Sequence, residues 1–439
     1  MPRLFVRHTT RVAAGMTKPL RSVVAVLSTL TLVAAACSGG GSAETTTTSV
    51  AQASTTTSTA STTTTTVATT TTTAATTTVA TFPSYVVAIN LPDAESALRS
   101  TVGEFYNWVG NRNLDPPPVP EGLLDHAAGA LVEGDVSLTG TTHVGDVAEG
   151  WRVAVVMIGD DVVLAADDGS GWAVVGAHLA GFGLDPWFGE PVRHILVIGT
   201  DARPGESQQL FRADSIHVLS SNAAAGGGSV IGFPRDSYVE ASYGFDKYTH
   251  VNVEEGSEAM VRIAADITGL PVEGFLITGF LNFERMVNDF GGVMVNVPFG
   301  MADKKSKAYL SAGLQRLWGA NALAFTRNRS IRGSDFTRSL HQGILILGAL
   351  DGVLERDITR LPELLKVLYD YTWTDLPLAD LVTVAASAFY VDPDAVRNVV
   401  LEGSIQLIDR RSVVVLDDEV NNPIFEDAAD GMLESTTEE

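Results

Sequence analysis

The feature that most constrains this chain is a series of short apolar runs in its second half, each about as long as a buried strand. Three of them follow closely on one another: HILVIG (194–199), SIHVLSS (215–221) and SVIGFP (229–234). Apolar runs of four to eight residues bounded by turn residues are typical of strands covered on both faces. The second half therefore predicts a mostly buried sheet.

Helical patterns alternate with these strands. The segments 257–270 and 283–292 have the apolar spacing of helices and end at glycine, and the strand-like runs VEGFLITGF and VMVNV follow them in turn. After residue 343 the chain is again helical in pattern, and SVVVLD beyond 410 indicates one more strand. This alternation predicts an α/β or α+β layered domain over residues 191–420, with VMVNV continuing its sheet.

Residues 85–190 have a different pattern of apolar runs and turn residues. A helical pattern over 93–109 is followed by a proline-rich break at 115–120 and then by short apolar runs separated by turn signals. We predict a small α+β domain here. It contains no recognisable catalytic constellation, and its role is left unassigned.

The N-terminus has the pattern of an export signal, in which basic residues precede an apolar run from Val23 to Ala36. Cys37, the only cysteine, resembles the lipidated residue of a bacterial lipoprotein, so residues 1–36 are predicted to be a signal peptide. An uncleaved signal anchor is the alternative, although a spanning helix needs about 20 residues. Either reading predicts an extracytoplasmic protein held at the cell membrane, with the threonine-rich segment 37–84 as its linker.

Overall charge limits the partners. Asp and Glu number 52 against 29 Lys and Arg, a net charge of -23, which disfavours nucleic acid as a partner. A single cysteine excludes an intramolecular disulfide and a thiolate metal cluster. The acidic segment 421–439 is predicted to be a disordered tail.

Arginines are concentrated in the otherwise nearly neutral region 199–342, mostly where predicted strands end. The candidates are Arg203, Arg212, Arg235, Arg327, Arg329 and Arg338. Guanidinium groups that converge at one sheet edge match phosphate or pyrophosphate oxygens two at a time. The aspartates Asp201, Asp214 and Asp236 accompany them. A salt-bridge network would explain any single pair, but carboxylates beside a phosphate site also suit Mg²⁺ or Mn²⁺.

Other catalytic templates do not fit. The chain has no G-x-x-x-x-G-K-[ST] phosphate loop, no H-E-x-x-H zinc helix, no C-x-x-C pair and no G-x-S-x-G elbow. These absences disfavour a P-loop nucleotide site, a zinc protease and an α/β-hydrolase.

In order, the motifs VIGTDARPGE, FRADSI, VIGFPRDSYV, DKYTHVNVEEG, FGGVMVNVP, GLQRLWGANALAFTRNR and SDFTRSLHQ resemble the LytR-CpsA-Psr family of cell-envelope phosphotransferases, in an actinobacterial-type lipoprotein. The resemblance covers a core of 193–350. It implies an α-β-α layered domain with a central mixed sheet. It also implies transfer of a glycan or anionic wall polymer from a polyprenyl-pyrophosphate carrier to peptidoglycan, with the lipid tail in an apolar tunnel.

The resemblance also assigns residues. Asp201 and Asp214 correspond to the Mg²⁺ ligands. One of the catalytic carboxylates, Asp201 or Asp214 in preference to Asp236, is expected to accept the acceptor's proton. The six arginines and Gln342 correspond to the pyrophosphate-binding set, in which Arg235 is also catalytic. Asp236 is expected to orient Arg235, and Asp335 to orient Arg338. Two positions depart from the family pattern: Thr249 replaces an asparagine, and His341 replaces an arginine.

Three alternatives remain open on the sequence: a non-catalytic binder of wall polymer or polyprenyl phosphate, a lipid-diphosphate hydrolase, and a transcriptional attenuator or regulator. The export signal, the acidity and the lack of a helix-turn-helix disfavour the last. The retained Asp201 and Asp214 favour an enzyme over a binder.

Overall fold

The first part of the folded chain is one sheet with helices on a single side. Its elements are β1 (Val87–Asn90), α1 (Ser96–Gly110), α2 (Glu121–Ala127), β2 (Val136–Ala148), β3 (Trp151–Ile158), β4 (Asp161–Asp167), β5 (Trp172–His178) and β6 (Pro186–Trp187). The computed structural model describes residues 82, 84–328 and 334–434. The six strands of this first part form one sheet in the order β1-β2-β3-β4-β5-β6. Only β1 and β2 are parallel. The predicted α+β unit is confirmed.

The second part has a longer run of elements. They are β7 (Val192–Thr200), β8 (Ala213–Asn222), β9 (Gly227–Gly232), β10 (Tyr238–Ala241), β11 (Gly244–Lys247), α3 (Tyr248–Glu254), α4 (Ser257–Thr268), β12 (Gly274–Gly279), α5 (Phe280–Phe290), β13 (Val293–Val297), β14 (Met301–Asp303), β15 (Ala308–Leu310), β16 (Gly313–Leu317), α6 (Gly319–Arg327), α7 (Ser334–Leu354), α8 (Leu361–Tyr371), β17 (Trp373–Thr374), α9 (Leu378–Ser387), β18 (Val396–Val400), β19 (Gly403–Ile408), β20 (Arg411–Leu416) and α10 (Asp418–Asp427).

The central sheet is mixed, with strand order β17-β12-β7-β8-β9-β18. Its strands alternate between two buried faces, as a sheet covered on both sides requires. Leu196 and Val218 pack with residues of α3, α4 and α10 on one face. On the other face Val230 packs with Ile346 and Leu350 of α7. The predicted α-β-α layering around a central mixed sheet is confirmed.

Two helices of the second part also cover the first sheet. In β3, Ala154 and Val156 pack toward α1, whereas Val153 and Val155 pack with Leu361 of α8 and other residues of α8 and α9. The near-continuous apolar sequence of β3 reflects this burial on both faces. The two parts therefore share a core.

The structure corrects two predictions. VMVNV (β13) does not continue the central sheet, because Gly291 and Gly292, both at positive φ, turn the chain so that β13 pairs with β16 instead. The segment 421–434 is not a disordered tail, because Asp417 caps α10 and Phe425 and Leu433 are buried in the core beneath it. Its acidic residues are compatible with a helix because they lie on the exposed side and in the first turn.

The signal peptide and Cys37, and nearly all of the linker, lie outside the described residues. Of the helices that the structure does describe, none has the length and apolar character needed to cross a membrane.

Candidate functional site

The site begins where β7 and β8 end at the same edge of the central sheet. Asp201 directly follows β7, and its backbone N–H donates to the carbonyl oxygen of Arg212, just before β8. The Arg212 guanidinium returns two hydrogen bonds to Asp201 Oδ2, from Nε at 3.1 Å and from Nη2 at 2.6 Å. Both donors converge on one carboxylate oxygen and the Arg212 side chain is 54% exposed, so this is a solvent-accessible ion pair rather than a buried one.

Asp214 is positioned by a β-bulge. Gly199 pairs with Ser215 and Thr200 pairs with Ala213, so Asp214 is the extra residue in β8. A bulge of this kind redirects a side chain that regular pairing would place elsewhere. Oδ1 of Asp214 accepts a hydrogen bond from Arg235 Nη1 at 2.5 Å.

Arg235 is the centre of the charged cluster. Besides Asp214, its Nε lies 3.7 Å from Oδ1 of Asp236 and 3.9 Å from Oδ2 of Asp335. Burial opposes its positive charge, but the carboxylates, led by Asp214, outweigh burial and raise the pKa of Arg235 above its usual value. Asp236 is bound more closely by Lys247 Nζ, at 3.0 Å, than by Arg235. Lys247 is thus a member of the cluster that the sequence reasoning did not assign, although it belongs to the recognised DKYTH motif.

Helix α7 contributes a face of three polar residues. Asp335, Arg338 and Gln342 are spaced three and four positions apart, which places them on one side of a helix. Arg338 Nη2 lies 3.1 Å from Asp335 Oδ1, as expected of an orienting carboxylate, and the Arg338 side chain is only 3% exposed. Gln342 Nε2 donates to the carbonyl oxygen of Asp214 at 3.2 Å and so ties α7 to the bulge.

The remaining predicted arginines are placed differently. Arg327 ends α6, with its guanidinium carbon 4.3 Å from the centre of the Phe280 ring. Arg203 lies in the exposed loop between β7 and β8, where its backbone N–H donates to Glu206. Arg329 lies outside the described residues. Of the predicted residues, the structure thus connects Asp214, Arg235, Asp236, Asp335, Arg338 and Gln342 into one cluster, which Lys247 joins through Asp236. The Asp201–Arg212 pair lies on the adjoining strand ends.

A cavity of about 350 Å³ opens from this cluster. At its polar end it is lined by Asp214, Ser215, Thr326, Arg327 and Gln342. Away from that end its walls are apolar and come from β7, β12, β13, the helices α5, α7, α8 and α9 and the turn after α9, including Phe283, Val287, Phe290, Val293, Leu345, Ala349, Leu361, Leu365 and Phe389. An apolar cavity ending at arginine and carboxylate groups suits a molecule with a hydrocarbon tail and an anionic head.

The histidines near the site are neutral. Burial lowers the pKa of both His217 and His341 to about 4. His217 Nε2 lies 3.1 Å from the carbonyl oxygen of Ser339 and must donate to it, which leaves Nδ1 to accept from the Ser215 hydroxyl at 3.2 Å. His341 stacks on Phe325 with ring centres 4.8 Å apart. His341 therefore does not supply the positive charge of the arginine it replaces.

Thr249, the other departure from the family pattern, supports the arginine turn through its backbone. Its N–H donates to the carbonyl oxygen of Arg235 at 2.9 Å. Its buried hydroxyl has no hydrogen-bond partner among the described residues.

The carboxylates of the site are suited to a divalent cation only if a substrate supplies part of its coordination shell. Within the described ranges, no group of three or more His, Cys, Asp or Glu side chains is arranged to hold a metal ion. Asp201 and Asp214 lie on adjoining strand ends, which supplies the one or two carboxylates that Mg²⁺ takes when substrate phosphate and water complete its shell. The residues present thus fit Mg²⁺ or Mn²⁺ bound together with a phosphorylated substrate, rather than a cation caged by protein alone.

The model of the LytR_cpsA_psr family matches residues 190–429. The chain is 30% identical over 166 residues to the polyisoprenyl-teichoic acid–peptidoglycan teichoic acid transferase TagT of Bacillus subtilis, covering 36% of this chain and 51% of that protein. It is 28% identical over 191 residues to the transferase TagU of Bacillus licheniformis, covering 43% and 61%. To the probable cell wall biosynthesis protein LcpB of Corynebacterium glutamicum it is 29% identical over 160 residues, covering 34% and 38%.

The chain thus spans about half the length of the curated relatives it matches. Among solved structures, the crystal structure of B. subtilis TagV aligns with a TM-score of 0.48 at 19% identity, covering 55% of this chain and 98% of that one. TagT bound to LI-WTA aligns with a TM-score of 0.46 at 21% identity, covering 56% and 92%.

Proposed function

Because the chain belongs to the LytR_cpsA_psr family, we propose that it transfers a glycan or anionic wall polymer from a polyprenyl-pyrophosphate carrier to peptidoglycan. The observation that carries this proposal is the apolar cavity ending at Asp214, Arg327 and Gln342. A polyprenyl diphosphate has the same two-part chemistry, a long hydrocarbon and a compact anion. TagT and TagU, which are named as polyisoprenyl-teichoic acid–peptidoglycan transferases, are consistent with this substrate class.

The proposed reaction is a phosphoryl transfer. An acceptor hydroxyl oxygen attacks the phosphorus attached to the polymer, and a phosphodiester bond forms. The bond from that phosphorus to the bridging oxygen breaks, and polyprenyl phosphate leaves with the electron pair. The hydroxyl proton passes to a carboxylate of the site, Asp214 or Asp201. Such reactions depend mainly on positioning and on neutralising charge in the transition state.

The arginines would hold the diphosphate. Arg327 and the buried Arg338 approach from α6 and α7, and Arg235 approaches from the end of β9. Asp201 and Asp214 would hold Mg²⁺ or Mn²⁺, which would neutralise further charge on the diphosphate when bound. In the described structure Arg212 and Arg235 are engaged by those same two carboxylates. Neutralising the carboxylates would therefore release both guanidinium groups toward the substrate.

The direct test is an assay with the purified full chain, Mg²⁺, a polyprenyl-diphosphate-linked glycan and peptidoglycan. Arg235→Ala is expected to lower turnover by about 10²-fold or more, the effect of removing one preorganised charge donor. Arg262→Ala is the matched control, because Arg262 is an exposed arginine of α4 that pairs only with Glu255 among the described residues. Equal turnover of wild type and Arg235→Ala would overturn the proposal.

The same assay separates the other activities. Release of polyprenyl phosphate without acceptor would identify a hydrolase. Retention of the lipid without any release would identify a binding protein. Loss of transfer on chelation, restored by Mg²⁺ or Mn²⁺, is the expected metal dependence.

We also propose that the protein is extracytoplasmic and anchored by a lipid on Cys37, so that the threonine-rich linker holds the folded part between membrane and wall. Cys37→Ala is expected to abolish incorporation of labelled fatty acid in cells. Unchanged incorporation would rule out this anchor. Membrane retention without any incorporation, in wild type as in the variant, would point to an uncleaved signal anchor.

A further inference from the structure

A basic and apolar surface lies on the far side of the cavity wall. Within the segment 304–318 three lysines, Lys304, Lys305 and Lys307, and three large side chains, Tyr309, Leu314 and Trp318, are all exposed. The large side chains are 66%, 71% and 51% exposed, respectively. These six residues are called the 304–318 patch below.

The lysines are presented by a tightly built turn. Asp303 is buried and accepts hydrogen bonds from the backbone N–H groups of Lys305 and Ser306. Lys307 has φ +62°, a left-handed conformation that a non-glycine residue adopts at some cost. None of the three lysines forms an ion pair with any residue that the structure describes. In a chain of net charge -23, three unpaired lysines on one turn form a local positive surface.

The large side chains face away from the core by strand alternation. Ala308 and Leu310 of β15 are buried, and Tyr309 between them is exposed opposite Ala302 of β14. In β16 Leu317 is buried, so Leu314 and the following Trp318 lie on the other face. Large apolar side chains exposed singly are ordinary, but a group of them within one short segment that also carries lysines marks an interaction surface, and Trp and Tyr are enriched at membrane–water interfaces.

The patch adjoins the proposed lipid site. The core beneath it contains Leu310 and Leu317 together with Val287, Val293 and Leu345, and the last three also line the cavity. Helix α6 begins just after Trp318 and ends at Arg327, at the polar end of the cavity.

We propose that the 304–318 patch docks the folded domain on an anionic phospholipid surface, with the lysines at the headgroups and Tyr309, Leu314 and Trp318 at the interface. This contact would be separate from the N-terminal anchor. Each lysine near an anionic bilayer strengthens binding about five-fold, and burial of the exposed apolar side chains adds to the affinity. The inference rests on the proposed function only in that both need a membrane nearby. An acidic polymer could also meet the lysines, but it would leave Leu314 without a partner.

The test places a fluorescent probe on the patch of the full chain. Cys37→Ser removes the only native thiol, and Ala302→Cys then takes an environment-sensitive label opposite Tyr309 without altering the patch. Ile405→Cys, on the separate β19–β20 hairpin and 69% exposed, is the matched control for any binding through the N-terminus. Vesicles of phosphatidylcholine alone are compared with vesicles containing phosphatidylglycerol.

We expect the probe at 302, and not at 405, to gain intensity and to be quenched by spin-labelled lipid on the anionic vesicles. Replacing the three lysines by glutamate is expected to lower the ratio of vesicle-bound to free protein by about 100-fold or more. Salt should weaken docking as well. Equal responses at 302 and 405, or no response at 302, would overturn the proposal. A response at 302 to a soluble polyanion but not to vesicles would instead make the patch a polymer site. No substrate is present, so the result is independent of whether the transferase activity exists.

Discussion

At the residue scale, the site depends on which carboxylate each cation contacts. Asp214, Asp236 and Asp335 surround Arg235, and Lys247 and Arg338 balance two of them. Motif order identified the arginines and aspartates. It did not show that Asp236 would lie closer to Lys247 than it does to Arg235. The two contacts of Asp236 differ in length, 3.0 Å to Lys247 against 3.7 Å to Arg235, and these distances are set by packing around the turn.

Asp214→Asn separates a role in chemistry from a role in folding. Arg235 keeps Asp236 and Asp335 nearby, so the free energy of unfolding should fall by only about 1 kcal/mol. Transfer should fall at least 100-fold, because the site loses the carboxylate at the bulge. Thermal unfolding and turnover measured on one preparation check both expectations. Asp370→Asn, in an exposed pair with Lys366, is the control and should change neither. A parallel loss of stability and turnover would mean that Asp214 is structural.

The buried histidines predict a pH dependence of stability. Burial lowers the pKa of His217 and His341 to about 4, below the 6.5 of the unfolded chain. The folded state therefore binds fewer protons between these values, and the stabilisation present above pH 6.5 is lost as pH falls toward 4. His341→Phe, a ring of similar size against Phe325, should flatten this slope by up to about 1.4 kcal/mol per pH unit. Denaturant unfolding at pH 4.5 and 7 measures the slope, and identical slopes in both proteins would contradict a neutral buried His341.

At the element scale, the β8 bulge and helix α7 bring the site together. The bulge directs Asp214 to the sheet edge, and Gln342 of α7 binds the carbonyl oxygen of the same residue. The strands and helices involved were predictable, since their apolar spacing is a local property. The bulge was not, because register is decided by pairing with β7.

The close packing of α7 on β13 can be tested at one glycine. A Cβ at Gly348 would lie 2.2 Å from the carbonyl oxygen of Met294, so Gly348→Ala must displace the helix or the strand. We expect unfolding free energy to fall by about 1–3 kcal/mol, together with reduced turnover, because Arg338 and Gln342 are on the same helix. Gly103→Ala in α1 is the matched control, with open space around its Cβ, and should stabilise by about 0.5–1 kcal/mol. A stabilising Gly348→Ala would show that α7 is not held closely to β13.

At the scale of the whole molecule, the first sheet supports the cavity. Leu361 and Leu365 of α8 line the cavity on one side and pack with the first sheet on the other. The region 85–190, whose role was left unassigned on sequence, thus buttresses a wall of the candidate site.

Two neighbouring valines of β3 test this support. Val155 and Val156 are both fully buried, but Val155 packs in the core shared with α8 and Val156 packs toward α1. Truncation of either to alanine should cost about 2 kcal/mol of unfolding free energy. Only Val155→Ala should also raise the KM for a long-chain lipid donor, since it loosens the packing under α8. Equal KM values for the two variants would show that the first sheet does not support the cavity wall.

Filling the cavity tests its occupant. Ala349 lines the apolar part, and Ala349→Phe would occupy a substantial share of the 350 Å³. We expect kcat/KM for a long polyprenyl donor to fall much more than for a short one, with folding preserved. Ala225→Phe, at an exposed turn, is the control. The same loss for both donor lengths would mean that the hydrocarbon does not lie there.

What the sequence determined by itself was local: the strand and helix patterns, the arginines and aspartates at strand ends, and the motif order that indicates the family. These follow from apolar period, turn residues and side-chain chemistry, all of which can be read along the chain. The tertiary structure alone decided the pairing of β13, the ordered helix α10, the partners of Arg235 and Asp236, the neutral state of His341 and the packing of the first sheet behind the α8 wall of the cavity. Each of these depends on contacts between residues far apart in sequence, where burial and register, rather than local preference, set the free energy.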